Sequence, residues 1–316
     1  MKFGLFGGPR TENYHTYADT ICEAEALGYH SNFLVEHHFS GMGQVSASLN
    51  LLTFLAARTS TIRLGTAVVV LPWHNPILIA EEAATLDQLS NGRLDFGVGK
   101  GYRPSEFGGF CIPIEEATER FEEAMAVIKQ AWSAQGRFSH HGKRWRYENV
   151  VVEPPPLQKP HPPLWLAAGK PDSLAYAARQ GYRLFLDQLQ TFEVIYERLA
   201  VFKRALAEAG RAYDPMGVAV ARGLMIARNR EEREAAVTER MRSLDVLNAL
   251  GSRSSSMVSD TNLRKAAEQG TLIGTPDEIA RRIEEMRANG IDYVLVVSAN
   301  RDTLRSFAKE IMPAFA

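Results

Sequence analysis

Three short stretches carry the side chains best suited to chemistry. FLVEHHF, residues 33–39, runs an apolar segment into Glu36, His37 and His38. GVGKG, residues 97–101, sets Lys100 among glycines that let a ligand approach the backbone closely. AAGKPDS, residues 167–173, places Gly169 and Lys170 just before a helix start at Pro171-Asp172-Ser173, where free N–H groups and a hydroxyl suit an anion. The two lysine stretches together suggest a phosphate on a cofactor or substrate, although glycine-rich strand ends are also simply tight turns. GVGKG is not a P-loop, because it lacks the four-residue spacer and the hydroxyl residue after lysine. For Glu36-His37-His38 three readings stand: a metal site, a hydrogen-bonded structural histidine, or acid–base chemistry by one histidine tuned by its acidic neighbour. Adjacent side chains of an extended segment point in opposite directions, so His37 and His38 are poorly placed to share one ion. No HExxH spacing occurs, and His140-His141 falls in a different region, so no metal is expected.

The elements that must position these residues are legible as an alternation. Strand patterns read at 2–6, 32–35, 62–71, 94–99, 163–168, 183–187, 217–227 and 292–297. They are mostly continuous hydrophobic runs, as expected of parallel strands covered on both faces. Helical patterns lie between them. In TPDEIARRIEEMRANG, 275–290, Thr275 caps, Pro276 takes the first helical position, Glu278 completes a capping box and Gly290 ends the helix. Asn75-Pro76 opens another helix, closed by Ser90-Asn91-Gly92. Eight strands with intervening helices predict a (β/α)8 TIM barrel, one domain over 1–316. A doubly wound open sheet is the rival, weakened because no glycine-rich dinucleotide fingerprint follows the first strand. Two insertions interrupt the repeat. One, about 135–163 between strands 4 and 5, reads as a β-ribbon and a proline-rich connection. The other, about 251–273 between strands 7 and 8, is serine-rich and then helical, a lid or a surface insertion. In such barrels chemistry sits at the carboxyl ends of the strands, where all three stretches fall.

Composition narrows the function classes. The 316 residues carry 36 basic and 37 acidic side chains, a formal net charge of −1. That balance gives no electrostatic reason to expect nucleic acid or an anionic membrane as partner. Cys22 and Cys111 alone cannot build a disulfide framework. The amino terminus does not read as a secretory signal, and no apolar run approaches the roughly 18 residues of a membrane span. A soluble, cytoplasmic protein is expected.

The order and spacing of these segments resemble the bacterial luciferase-like family of flavin-dependent monooxygenases. The likeness runs from MKFGLF through EHHF and IRLGTAVVVLPWHNPILIAEEAATLDQLSNGRLDFGVGKG, then LWLAAGKPDSLAYAARQG and GTPDEIARRIEEMRANGIDYVLV. It is least clear at 188–273. The resemblance implies a (β/α)8 barrel that takes reduced FMN from a separate reductase. Molecular oxygen then adds at the flavin 4a position, and the resulting (hydro)peroxide oxygenates a small organic substrate. It assigns His37 as the catalytic histidine, with Glu36 orienting the site and His38 structural. It puts a non-proline cis peptide at Ala67-Val68, beneath the flavin ring.

Further residues follow from the same likeness. Gly99 and Lys100 stand at the phosphate, with lysine where the light-emitting members carry arginine, so the charge stays but the bidentate fork is lost. Gly169 and Lys170 replace a glutamate and a serine, Ser173 keeps the hydroxyl of a threonine, and Gln188 stands in place of a tryptophan against the flavin. Light emission is therefore not implied. Phe6, Trp73, His74 and Tyr102 are pocket candidates, whose apolar and aromatic character suits an uncharged substrate such as an aldehyde or ketone. The family implies a homodimer. Two other readings remain: an oxidoreductase using the deazaflavin coenzyme, and a flavin-binding protein without turnover. A metal-dependent barrel hydrolase is more distant.

Overall fold

The computed structural model describes residues 1–9, 13–250, 262–298 and 300–316. Eight parallel strands form the barrel: β1 (Lys2–Gly7), β2 (Ser31–Leu34), β3 (Arg63–Thr66), β4 (Leu94–Gly99), β5 (Leu164–Ala167), β6 (Arg183–Leu186), β7 (Val218–Ile226) and β8 (Tyr293–Val297). Each neighbours the next in the hydrogen-bonded order, and β8 returns to β1. This is the (β/α)8 architecture expected from the alternation. All six residues of β4 and all four of β2 are buried, which is why their sequences show no polar alternation.

Two compact units make up the chain. The first comprises Met1–Gly7, Glu23–Asn32 and Leu166–Ala316. Its register sets Lys2 against Tyr293, Ala219 against Tyr293, and Val218 against Leu184. Gly4 is required here, since a Cβ would collide with the Ser31 side chain. The Thr275 capping box forms as expected at the head of the helix Pro276–Ala288, whose Ile279, Ile283 and Met286 are buried. From the insertion between β7 and β8, residues 251–261 lie outside the described residues. Its later part is the helix Leu263–Gly270 and a short strand, Leu272–Gly274, paired with Leu224–Ile226.

The second unit comprises Gly8–Cys22 and Phe33–Trp165. Leu64 and Gly65 pair with Leu94 and Asp95, while Val69 and Val70 pair with Val98 and Gly99. The single strand read at 62–71 is thus two pieces, interrupted at a cis peptide between Ala67 and Val68. Thr66 ties the pieces to β4, its Oγ1 donating to Gly97 O at 2.7 Å and accepting from Gly97 N at 2.9 Å. The Asn75 side chain caps the helix Pro76–Leu89 by accepting from Ile77 N and Leu78 N. The expected ribbon pairs Phe138–His141 with Arg146–Val150, and Glu123 of the helix Ala117–Ser133 accepts from the backbone of Arg144 and Trp145 in its turn. Among the described residues no helix is long and apolar enough to cross a membrane.

Candidate active site

The chain leaves β2 extended, so alternate side chains fall on one side. Glu36 and His38 share a side and meet, His38 Nε2 lying 3.0 Å from Glu36 Oε1. The same oxygen accepts from Trp73 Nε1 at 2.8 Å and lies 2.8 Å from His74 Nε2, while Val70 N donates to Oε2 at 3.3 Å. Glu36 is 3% exposed. Burial alone would raise its pKa, but the hydrogen bonds from His38 and His74, the charge of His74 and the Trp73 N–H outweigh it and bring the carboxyl down to about 2. It is a buried ion held by four hydrogen-bonding contacts.

His37 points the other way and finds a different partner. Its Nδ1 lies 3.0 Å from Oε1 of Glu106, which also accepts from His38 N at 2.9 Å. Glu106 is the third residue of the short helix Pro104–Gly109 and is 1% exposed. The Tyr102 ring meets the His37 ring edge-on, centroids 6.2 Å apart and planes at 87°. Burial pushes the imidazole pKa down, the Glu106 hydrogen bond pushes it up, and the charge of Arg103 lowers it again; the net direction is downward. The shift favours the neutral ring. A carboxylate oxygen can only accept, so the proton sits on Nδ1 and the lone pair on Nε2.

The remaining candidates of this unit cluster nearby in sequence and structure. Val68, across the cis bond, packs against β4 where Gly99 makes room: a Cβ there would meet Val68 Cγ2 at 2.5 Å. Gly101 takes φ +77°, a conformation that favours glycine. Lys100 Nζ reaches Thr118 Oγ1 at 3.4 Å and lies 5.7 Å from the Phe121 ring centre. Trp73 stacks on Phe110 with centroids 5.1 Å apart, and both it and His74 are anchored on Glu36.

The other unit holds the rest. Lys170 is exposed and stands at the N-cap of the helix Pro171–Gln180, its side chain making no cap hydrogen bond. Ser173 stands in that first turn, preceded by Gly169, and Phe6 is half-buried in β1. Arg240 donates to the Gln188 carbonyl at 2.7 Å and to its side-chain Oε1 at 3.3 Å.

With this geometry in hand, the luciferase-like monooxygenase family model matches residues 1–293. The chain belongs to that family. The oxygenase component of a flavin-dependent trigonelline monooxygenase from Acinetobacter baylyi is 26% identical over 320 residues, covering 94% of this chain and 88% of that protein. The chain spans 62% and 49% of the lengths of two other curated relatives, both uncharacterised proteins of Sinorhizobium fredii. Among solved structures, monooxygenase RslO1 from Streptomyces bottropensis superimposes over the full length of both chains, with 27% identity and a TM-score of 0.83. An F420-dependent secondary alcohol dehydrogenase shares the fold, with 16% identity, a TM-score of 0.82 and coverage of 100% of this chain and 99% of that one.

For this luciferase-like chain, sequence reasoning paired His37 with its neighbour Glu36, whereas the structure pairs it with Glu106, 69 residues away. Glu36 serves His38, Trp73 and His74 instead. Nothing local in the sequence marks Arg103 or Arg240. The one local signal for Glu106 is its place two residues after Pro104, which starts a helix and turns its third residue back toward the preceding chain.

Proposed function

We propose that this chain is the oxygenase of a two-component system, taking reduced FMN from a separate flavin reductase and using molecular oxygen to oxygenate a small organic substrate. The observation that carries the reading is the His37–Glu106 pair beside Tyr102. A neutral histidine held by Nδ1 presents an unprotonated Nε2, able to accept a hydrogen bond or take a proton from a reacting group. When bound, reduced flavin supplies the electrons that activate oxygen. The residues present fit such a cofactor. In one unit Gly99 leaves room for the Val68 side chain and Lys100 offers a charge to a phosphate; in the other, Lys170, Ser173 and the helix start at Pro171 offer donors to an anion. Ala67, Val68, Gly169 and Gln188 complete the proposed flavin contacts. Glu36 keeps the floor of the His37 segment rigid by anchoring Trp73, His74 and His38. A cytoplasmic homodimer belongs to the same proposal.

The test is anaerobic binding of reduced FMN followed by rapid mixing with oxygenated buffer. A near-ultraviolet band that outlives simple reoxidation, with its lifetime changed in His37→Ala, is the expected result. Binding followed by immediate reoxidation would contradict it. Failure to bind reduced FMN while binding reduced F420 would move the deazaflavin reading, favoured by the shared dehydrogenase fold, to first place.

A further inference from the structure

Arg103 is 1% exposed, yet its guanidinium is only half engaged. Nη1 donates to Gln44 Oε1 at 3.1 Å and lies 3.6 Å from Glu106 Oε1. Among the described residues nothing accepts from Nε or Nη2. These two nitrogens form the edge of a guanidinium that carries two parallel N–H bonds, the geometry that grips a carboxylate bidentately. Leaving that edge unmet in the interior is costly, since each buried donor without a partner forfeits its hydration. Arg103 belongs to the candidate site. Arg103 shares Glu106 with His37, and its guanidinium carbon lies 5.6 Å from the centre of the Tyr102 ring that touches His37. Local sequence explains why the side chain is here. Pro104 starts a helix immediately after it, so the Arg103 backbone is extended (φ −95°, ψ 114°) rather than helical.

We infer that the Nε/Nη2 edge of Arg103 is a carboxylate-binding fork, and that the ligand drawn to the His37 site is a small organic acid. The inference rests on the oxygenase reading and names its substrate class. It departs from the expectation of an uncharged substrate drawn from the aromatic lining, because a buried charged fork selects for its complement more strongly than an apolar wall does. Glu106 remains beside Nη1 at 3.6 Å, an ion pair without a hydrogen bond, so the arginine would stand between two carboxylates and offer its Nε/Nη2 edge to the ligand alone. Lysine cannot reproduce that arrangement, having charge without the fork.

The experiment titrates the full chain calorimetrically with acetate, benzoate and phenylacetate, each against its primary amide, in the absence of flavin. At least one acid should bind roughly tenfold more tightly than its amide, and Arg103→Lys should remove most of that preference. Should Arg103→Lys fail to fold, Lys100→Met decides: the preference persists if Arg103 carries it and vanishes if the neighbouring cation does. No acid-over-amide preference in any pair, or a preference unchanged in Arg103→Lys, would overturn the inference and leave the edge to a buried water. The titrations contain no flavin or oxygen chemistry. Acid binding by a chain that fails the oxygen-mixing test would remove the oxygenase reading alone, and the converse pair of results would remove this inference alone.

Discussion

Glu36 and Glu106 are both buried carboxylates, both reached by the histidines of one tripeptide, and they do opposite things. Glu36 accepts from two imidazoles, an indole N–H and a backbone N–H. Its bonds hold four groups of the surrounding segments in place. Glu106 accepts from the His37 ring and the His38 backbone, and its neighbour Arg103 keeps an open edge. The contrast separates a frame from a tool. A fully satisfied buried ion fixes geometry, whereas a partly satisfied cluster holds groups ready for something the protein itself does not supply.

The largest effect is expected at His37. If it is the working group, His37→Ala should cost on the order of 10²–10⁴ in the oxygen-dependent step, read as the altered lifetime of the near-ultraviolet band, with little change in melting temperature. Glu36→Ala should do the reverse and lower stability first, by roughly 3–5 kcal/mol, because it strands the Trp73 and Val70 N–H groups inside the fold. A thermal melt checks this. The pH dependence follows from the lowered pKa. A carboxylate depressed in the folded state contributes stability above its unfolded value and loses it as pH falls toward about 2, so acid unfolding between about pH 4.5 and 2 should be shallower in Glu36→Gln.

Glu106→Gln keeps the shape and should leave the melt nearly unchanged, while slowing the oxygen-dependent step by roughly ten- to a hundredfold through loss of tautomer control. Its signature is directional. The Glu106 hydrogen bond raises the His37 pKa, so removing it should move the acid limb of the pH profile to lower pH. The smallest effect is expected from Trp73→Phe, which deletes one donor to a carboxylate that keeps the others. A loss of roughly 1–2 kcal/mol in a denaturant titration, with an unchanged band lifetime, would sharpen the assignment of Trp73 to the frame.

Much of the barrel was legible because its signals are local. Pro276 with Thr275 and Glu278, Asn75 before Pro76, and the buried run Leu94–Gly99 each declare an element within a few residues. The cis bond at Ala67-Val68 was expected only through the family likeness. The partner of His37 was not legible, because a contact across 69 residues is set by how β2 and the loop after β4 converge. Adjacency favoured Glu36, yet extended backbone sends neighbouring side chains apart. Gln188 shows the same limit: its position could be read, but not its tie to Arg240, 52 residues on.

The account stands or falls on the state of His37, and that is open to one direct measurement. In protein labelled with ¹⁵N-histidine, the imidazole nitrogen shifts of His37, assigned by their loss in His37→Ala, report which nitrogen carries the proton. At neutral pH the account predicts a neutral ring with the proton on Nδ1 and a bare Nε2, changed in Glu106→Gln but kept in Trp73→Phe. An imidazolium, or a ring protonated on Nε2, would contradict it.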